Sequence, residues 1–203
     1  KQLLVSLGKE AFLADVNKFN PTTSLVDISQ TTFVTRKSWE NERKIRQKAK
    51  LDKLPEKLLK TLGNSVKDIQ FSPNETKILY TATASASIPQ NIIPPLPAAS
   101  SQPESRQIEP EKIYVYDLKE DKNFYIATAN KKRFSWFPTS KHIFIVQNSK
   151  ISIAEYDGTN WTDVYTGPFE NSFDFSFPYG TKILILTSIG KDVPLNLYAI
   201  SLR

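Results

Sequence analysis

The chain has 203 residues, of which 39% are hydrophobic and 24% charged, values typical of a soluble globular protein. It contains no Cys, which excludes disulfides, thiolate metal sites and a cysteine nucleophile within this sequence. No apolar run approaches the roughly 18 residues that a membrane helix needs. The chain begins at Lys1 and contains no Met, so we expect it to be a piece of a longer protein.

The net charge of +6 comes from one short segment. Residues 36–60 hold all of the excess of Lys and Arg over Asp and Glu, whereas the rest of the chain is neutral. Positive charge confined in this way indicates either a docking patch for an anionic partner or a solvated helix face with no specific role.

A hairpin pattern recurs along the chain at a spacing of about forty residues. Its clearest copy is Phe71–Tyr80, in which Pro73 and Asn74 form a turn between two strands. Pro fixes φ and Asn tolerates turn geometry, so the hairpin has a physical basis. Pro138 and Pro178 mark the equivalent turns downstream.

Each repeat is predicted to contain four short antiparallel strands, because apolar residues alternate or run continuously between turn residues. The predicted second strands are 1–5, 77–80, 141–146 and 182–186; the third strands are 10–16, 112–118, 150–157 and 196–202; the fourth strands are 24–28, 123–127 and 161–165. Four strands in a unit of about forty residues are typical of a β-propeller blade.

The order of strand, Ser-Pro-Asn turn and Lys-initiated strand resembles the TolB-like, WD40-like β-propeller repeat family. Phe71–Asn74 is the best copy, whereas Phe137 and Phe177 stand where Ser is usual, and only Gly180 resembles the turn glycine. The resemblance implies an all-β fold: a partial β-propeller of about four four-stranded antiparallel blades, the first incomplete, spanning 1–203 as a single domain or part of one.

Closed propellers have about 4–8 blades, so the chain is either part of a larger ring or a closed four-bladed one. More loosely, it resembles the propeller region of bacterial surface proteins. That second resemblance slightly favours an extracytoplasmic or cell-envelope location.

Residues 30–64 do not fit the repeat and predict a basic helical hairpin. Ser38 is expected to cap a first helix over 39–51. Pro55 is expected to lie in the first turn of a second helix over 56–62.

Gly63 and Asn64 are expected to end that second helix. Leucines at helical spacing predict one packed face: Leu51, Leu54, Leu58, Leu59 and Leu62. The opposite face is the candidate anion-contact patch, formed by Arg43, Lys44, Arg46, Lys48, Lys50, Lys53 and Lys57.

Residues 85–110 are rich in Pro, Ser and Ala and predict a disordered or polyproline-like loop. Within it, the motif Pro94, Pro95, Leu96 and Pro97 is able to form a short polyproline helix that an aromatic groove binds. The alternative is a tolerated surface loop. Both insertions interrupt connections that leave the same side of a blade, so we expect them to share one rim, opposite the proline turns.

Candidate catalytic residues are few. The single His, His142, falls in a predicted strand, where a structural role is expected. No nucleophile elbow, P-loop or dinucleotide fingerprint is present. Four acids fall at repeat-equivalent or strand-end positions and predict structural roles: Asp15, Asp117, Asp157 and Asp174. We therefore predict no catalytic, cofactor or metal site.

The sequence thus favours a non-catalytic protein-interaction or scaffolding propeller that binds an unidentified protein partner through the face carrying the two insertions. One alternative is an accessory, substrate-gating propeller of a larger enzyme such as a serine peptidase. Another is binding of an anionic polymer or a membrane surface through the basic helices. Specific nucleic-acid recognition is not expected, because Trp39 is the only aromatic residue in 36–60 and base stacking needs aromatic side chains.

Overall fold

The computed structural model of this chain describes residues 2–94, 96, 101–170, 174–190 and 193–202. It is mostly β, with 41% strand and 17% helix, and the described residues form five antiparallel sheets and two helices. The predicted predominance of antiparallel β-structure is therefore confirmed. The chain divides into two compact units, Lys1–Leu54 and Pro55–Arg203.

The first unit contains a three-stranded sheet, here called sheet I, and one helix. Its elements are β1 (Gln2–Leu7), β2 (Glu10–Asp15), β3 (Val26–Asp27) and α1 (Thr32–Leu51). The strands pair in chain order. A tight turn joins β1 to β2. Gly8 lies in this turn with a φ of 61°, a left-handed conformation that glycine adopts without steric cost.

Helix α1 begins seven residues before the predicted start, at Thr32 rather than Trp39, so the prediction that Ser38 caps it was wrong. Its first turn is fixed instead by contacts to sheet I: the Ile28 amide donates to the Ala11 carbonyl at 2.8 Å, and the Thr32 hydroxyl donates to the Ile28 carbonyl at 2.8 Å. These tertiary contacts override the local capping signal, and Ser38 lies within the helix.

The second unit contains one helix and thirteen strands among its described residues. In chain order they are α2 (Glu56–Ser65), β4 (Val66–Phe71), β5 (Lys77–Ala82), β6 (Ala86–Ser87), β7 (Gln107–Ile108), β8 (Lys112–Asp117), β9 (Lys122–Thr128), β10 (Arg133–Trp136), β11 (His142–Gln147), β12 (Lys150–Glu155), β13 (Thr162–Thr166), β14 (Asp174–Ser176), β15 (Lys182–Thr187) and β16 (Asn196–Ser201).

Three main sheets and one ribbon result. Sheet II has the order β4-β5-β8-β9, sheet III the order β10-β11-β12-β13, and sheet IV the order β14-β15-β16, while β6 and β7 pair as a separate ribbon. Every strand that the sequence predicted for sheets II, III and IV is present, within a few residues of its predicted bounds.

Helix α2 starts where Pro55 predicted, but it continues through Gly63 and Asn64 to Ser65, so the predicted stop was wrong. The Thr83 amide donates to the Ser65 carbonyl at 2.8 Å, and β4 starts at the next residue. Sheet pairing, rather than a left-handed glycine, therefore ends the helix. The predicted packed face is present here, since Leu58 and Leu62 are fully buried.

The three proline turns share one geometry. The amides of Ser72, Phe137 and Phe177 each donate to the carbonyl five residues later, at 2.9 Å in all three turns. The fourth residue of each turn has a positive φ: Glu75, Ser140 and Gly180. In the first turn Asn74 adds side-chain bonds, accepting from the Ser72 hydroxyl at 2.8 Å and the Thr76 hydroxyl at 2.9 Å.

Sheet III is buried on both faces. Its residues Ile143 and Ile145 pack with residues of sheet II in one apolar core, whereas Phe144 and Val146 pack with residues of sheet IV in another. Successive side chains of a strand point to opposite faces, so β11 contributes to both cores in alternation. Sheets II, III and IV therefore stack face to face in chain order.

Candidate interaction surfaces

The insertion 85–110 has two ordered arms, whereas the sequence predicted a disordered or polyproline-like loop. Strands β6 and β7 pair, and the Ile88 amide donates to the Arg106 carbonyl at 2.9 Å. Ile88 and Ile108 are almost fully buried. Apolar anchors at both ends thus fold the arms onto the unit, which the overall Pro- and Ser-rich composition did not predict.

Arg106 holds the arms to the β8–β9 turn. This turn lies at the same end of sheet II as the Ser72–Asn74 turn, because Lys77 pairs with Asp117. The prediction that the insertion lies on the rim opposite the proline turns was therefore wrong for the part around Arg106. Its guanidinium donates to the Pro89 carbonyl at 2.7 Å and to the Asp121 carbonyl, and it forms ion pairs with the carboxylates of Asp121 and Glu104. Burial by itself would lower the pKa of Arg106, but the hydrogen bond and charge of Asp121, aided by Glu104, outweigh it and raise that pKa. The side chain is therefore a fixed cation in this cluster.

Two buried tyrosines extend the cluster below the arms. Tyr116 donates to Asp121 Oδ1, and Tyr80 donates to Asn123 Oδ1 at 2.7 Å. Asn123 in turn donates to the Ser105 carbonyl at 2.7 Å. Burial raises the pKa of both tyrosines above the ordinary value, so they remain protonated donors with a structural role.

The proline motif lies beyond these anchors. The Ile92 amide donates to Asp121 Oδ2 at 3.1 Å, and Pro94 and Leu96 are exposed shortly after it. Pro95 and Pro97 lie outside the described residues. The structure thus places the start of the predicted peptide motif at the surface, next to a rigid anchor.

A cleft lies between sheets II and III at the base of this insertion. One part has a volume of about 380 Å³, and an adjoining part of about 520 Å³ reaches Thr83 and Pro110. The floor is closed by two bonds between the sheets: Gln70 Nε2 donates to the Phe134 carbonyl at 3.1 Å, and Trp136 Nε1 donates to the Gln70 carbonyl at 3.0 Å.

A bulge in β4 shapes one wall of this cleft. Pairing with β5 is irregular between Lys67 and Gln70, and Asp68 there has a φ of 55°. A non-glycine residue in the left-handed region costs free energy, and such residues cluster at functional sites. Bulges that redirect side chains are also common next to functional sites. Nothing in the local sequence signals this feature.

Basic side chains outnumber acidic ones around the cleft. Its ionisable lining residues are Lys67, Lys131, Lys132, Arg133, Asp68 and Glu111. Arg133 forms an ion pair with Asp174, and the Lys132 ammonium lies 5.8 Å from the centre of the Trp161 ring. The cleft therefore suits a polar or mildly acidic protein segment better than a basic one.

The predicted anion-contact patch divides between the two units. Arg43, Lys44, Arg46, Lys48 and Lys50 lie on α1, Lys53 follows it, and Lys57 lies on α2. Lys44 Nζ is 2.9 Å from Glu40 Oε1, and Arg46 pairs with Glu42. Hydrogen bonding to Lys44 lowers the pKa of Glu40.

Four members of the patch are exposed and make no ion pair within the described part of the chain: Arg43, Lys48, Lys53 and Lys57.

The residues assigned structural roles from the sequence sit in turns and at strand ends. His142 Nδ1 lies 3.1 Å from the Thr139 hydroxyl, and Asp117 accepts from the Lys119 amide at 2.8 Å. Asp15 and Asp157 accept turn amides in the same way. Across the described ranges, no three His, Asp or Glu residues are grouped so that they could hold a metal ion.

Neither helix of the described chain is long and apolar enough to cross a membrane. Comparison with protein-family models and with curated proteins finds no match to this chain.

Proposed function

We propose that the chain forms part of a β-propeller that acts as a non-catalytic protein-interaction module. Support for the propeller comes from sheets II, III and IV, which stack face to face in chain order, with antiparallel strands that follow one another within each main sheet. This is the relation expected of consecutive blades. In the first unit, sheet I contains strands at the positions of the second, third and fourth strands of a blade.

The binding surface in this proposal is formed by the insertion 85–110 and by the cleft at its base, which lies at the opposite end of sheet II from the Asp121 anchor. One observation carries it: buried charges fix the arms of a proline-rich loop. Burying the Arg106–Asp121 pair costs desolvation free energy, which several hydrogen bonds must offset. Such an anchor presents Pro94, which is exposed, with less loss of conformational entropy on binding.

The proposed partner is a protein that contacts the proline motif through an aromatic groove and places a polar or acidic segment in the cleft. Lys67 and Lys132 would meet that segment at the wall of the cleft. This mode of binding needs no catalytic residue in the insertion or the cleft. It also gives the strained residue Asp68 a role as the feature that opens the cleft.

Site-specific crosslinking tests the proposal. A photoreactive amino acid at Asn130, in the cleft, should trap a discrete partner in cells that make the natural full-length protein. Combining it with Lys67→Glu and Lys132→Glu should reduce the trapped product about tenfold or more, because like charges repel across the contact. Tyr179, exposed in the third proline turn, provides the matched position for a photoreactive control.

Equal trapping from Asn130 and Tyr179 would contradict a binding role for the cleft. Trapping at Asn130 that survives both charge reversals would contradict the place assigned to the acidic segment. Circular dichroism of each variant separates these outcomes from misfolding.

A further inference from the structure

Helix α1 has an unusual surface for a helix of its length. None of its 20 residues, all of which the structure describes, is buried. Three large apolar side chains are mostly exposed: Phe33 at 75%, Val34 at 65% and Ile45 at 63%. In an ordinary surface helix the apolar residues form the stripe that faces the core.

The side of α1 that faces its own sheet is a different one. Trp39, Glu42 and Arg46 line a cavity together with Gln2 and Asp15 of sheet I. These three helix residues are three, four or seven positions apart, and such residues lie on one side of an α-helix. The exposed apolar residues therefore occupy other sides of α1.

Lysines lie between these apolar residues on the outward side. Lys37, Lys44 and Lys48 are separated by seven and four positions and so form one row along the helix. Phe33 adjoins this row, and the Lys37 ammonium lies 6.0 Å from the centre of its ring.

Val34 and Ile45 adjoin the other side of the lysine row. They are eleven positions apart, about three helical turns, and so share one side of the helix. The outward face therefore consists of a lysine row with apolar side chains on both flanks.

We propose that this outward face of α1 binds an anionic lipid bilayer, with the helix lying in the plane of the interface. This inference is independent of the proposed function, which concerns the second unit. Amphipathic interfacial helices insert apolar side chains at the boundary between headgroups and acyl chains and carry basic residues toward anionic headgroups. Lysine stems lie along apolar surface while their ammonium groups reach the phosphates.

A bilayer explains the exposed apolar side chains better than a soluble polyanion does. A polyanion would be attracted to the lysines but would make no use of Phe33, Val34 and Ile45. Both side chains of the Lys44–Glu40 ion pair are exposed. Because such pairs add little to stability, Lys44 remains available to a lipid phosphate.

Vesicle sedimentation with the whole chain tests the proposal. Binding to vesicles of phosphatidylcholine mixed with phosphatidylglycerol should exceed binding to phosphatidylcholine alone and should weaken as salt is raised. The variant Lys37→Glu, Lys44→Glu, Lys48→Glu should lose about 100-fold or more in affinity. The variant Phe33→Ser, Val34→Ser, Ile45→Ser should lose at least tenfold, since the inserted apolar area is gone.

A variant with the same change in net charge elsewhere serves as the control. Lys119→Glu, Lys141→Glu, Lys182→Glu alters exposed lysines of the second unit and should retain most of the binding. Circular dichroism shows whether each variant keeps its helix. Equal loss in the control would reduce the effect to net charge and overturn the proposal.

The absence of Cys from the chain allows a direct probe of insertion. An environment-sensitive fluorophore on Ile45→Cys should shift to shorter wavelength when anionic vesicles are added, whereas the same label on Lys119→Cys should not. No shift at Ile45, or undiminished binding after the three changes to Ser, would show that only charge attracts the vesicle. Either result overturns the interfacial helix.

Discussion

Sheets I and III are built from similar strands but differ in how they are buried. In sheet III, Ile143 and Ile145 are at most 1% exposed, and the opposite face of the same strand is buried as well. In sheet I, Leu3 and Leu7 of β1 are 54% and 60% exposed. Alternating apolar residues therefore define a strand in both units, but stacking between sheets supplies most of the buried area, and with it most of the stabilisation.

The largest expected effect is at the core between sheets II and III. Phe124→Ala should lower the free energy of unfolding by about 3–5 kcal/mol, because it removes a fully buried ring and leaves a cavity. Leu3→Ala, in sheet I, should change it by less than about 1 kcal/mol. Urea denaturation measures both, with the second unit followed separately by amide exchange. Similar losses for the two variants would contradict the contrast between the sheets.

The next effect concerns the anchor of the proline-rich insertion. Arg106→Ala should cost about 3 kcal/mol, because it leaves the Asp121 carboxylate buried beside Tyr116 without its cation. Limited proteolysis between 85 and 110 should also become faster. The double variant Arg106→Leu, Asp121→Leu removes both charges, so it should be less destabilised than Arg106→Ala. A larger loss for the double variant would show that the pair stabilises the fold beyond its neutral replacement.

The proline turns should respond unequally to truncation. Asn74→Ala removes an acceptor that serves Ser72 and Thr76 and should cost about 1 kcal/mol. Tyr179→Ala, at the equivalent turn position, should cost almost nothing because that side chain is exposed. Thermal unfolding of the two variants gives the comparison. Equal shifts would mean that the backbone bonds alone determine the stability of the turns.

The smallest effect is a pH dependence at the contact between sheets II and III. Burial, followed by the charges of Glu120 and Asp117, raises the pKa of Tyr156 to about 12. The unfolded state releases this proton near pH 10. The contribution to stability is therefore complete below pH 10 and is lost as the pH rises toward about 12. The urea midpoint should fall over that range less in Tyr156→Phe than in the unaltered chain; identical slopes would contradict the shift.

Much of the β-structure was predictable because its causes are local. The Ser72–Asn74 turn and the apolar strands on either side of it carry their own signals in residue type and period. The start of α1 and the end of α2 were not predictable in this way. A contact to Ala11 determines where α1 begins, and pairing with Thr83 determines where α2 ends. Ala11 and Thr83 both lie far in sequence from the helix termini that they determine.

The candidate surfaces show the same difference between features with local causes and features that depend on tertiary contacts. The basic residues of 36–60 and the proline motif were visible in composition. Their structural context was not, because the pairing of Lys44 with Glu40 and the anchoring of Arg106 on Asp121 depend on three-dimensional neighbours. The charged residues Glu104 and Arg106, in a loop otherwise dominated by Pro, Ser and Ala, were the local hint of an anchor. The cleft beside Asp68 had no sequence signal at all.

The alternation of β11 between two cores has a consequence for how the chain avoids errors as it folds. A slip of one residue in the pairing of β11 would exchange Ile143 and Ile145 with Phe144 and Val146. Both neighbouring sheets would then meet side chains of the wrong shape at the same time. Packing against both neighbouring sheets therefore disfavours a shifted register in sheet III. We also expect sheet III to unfold together with sheets II and IV rather than alone.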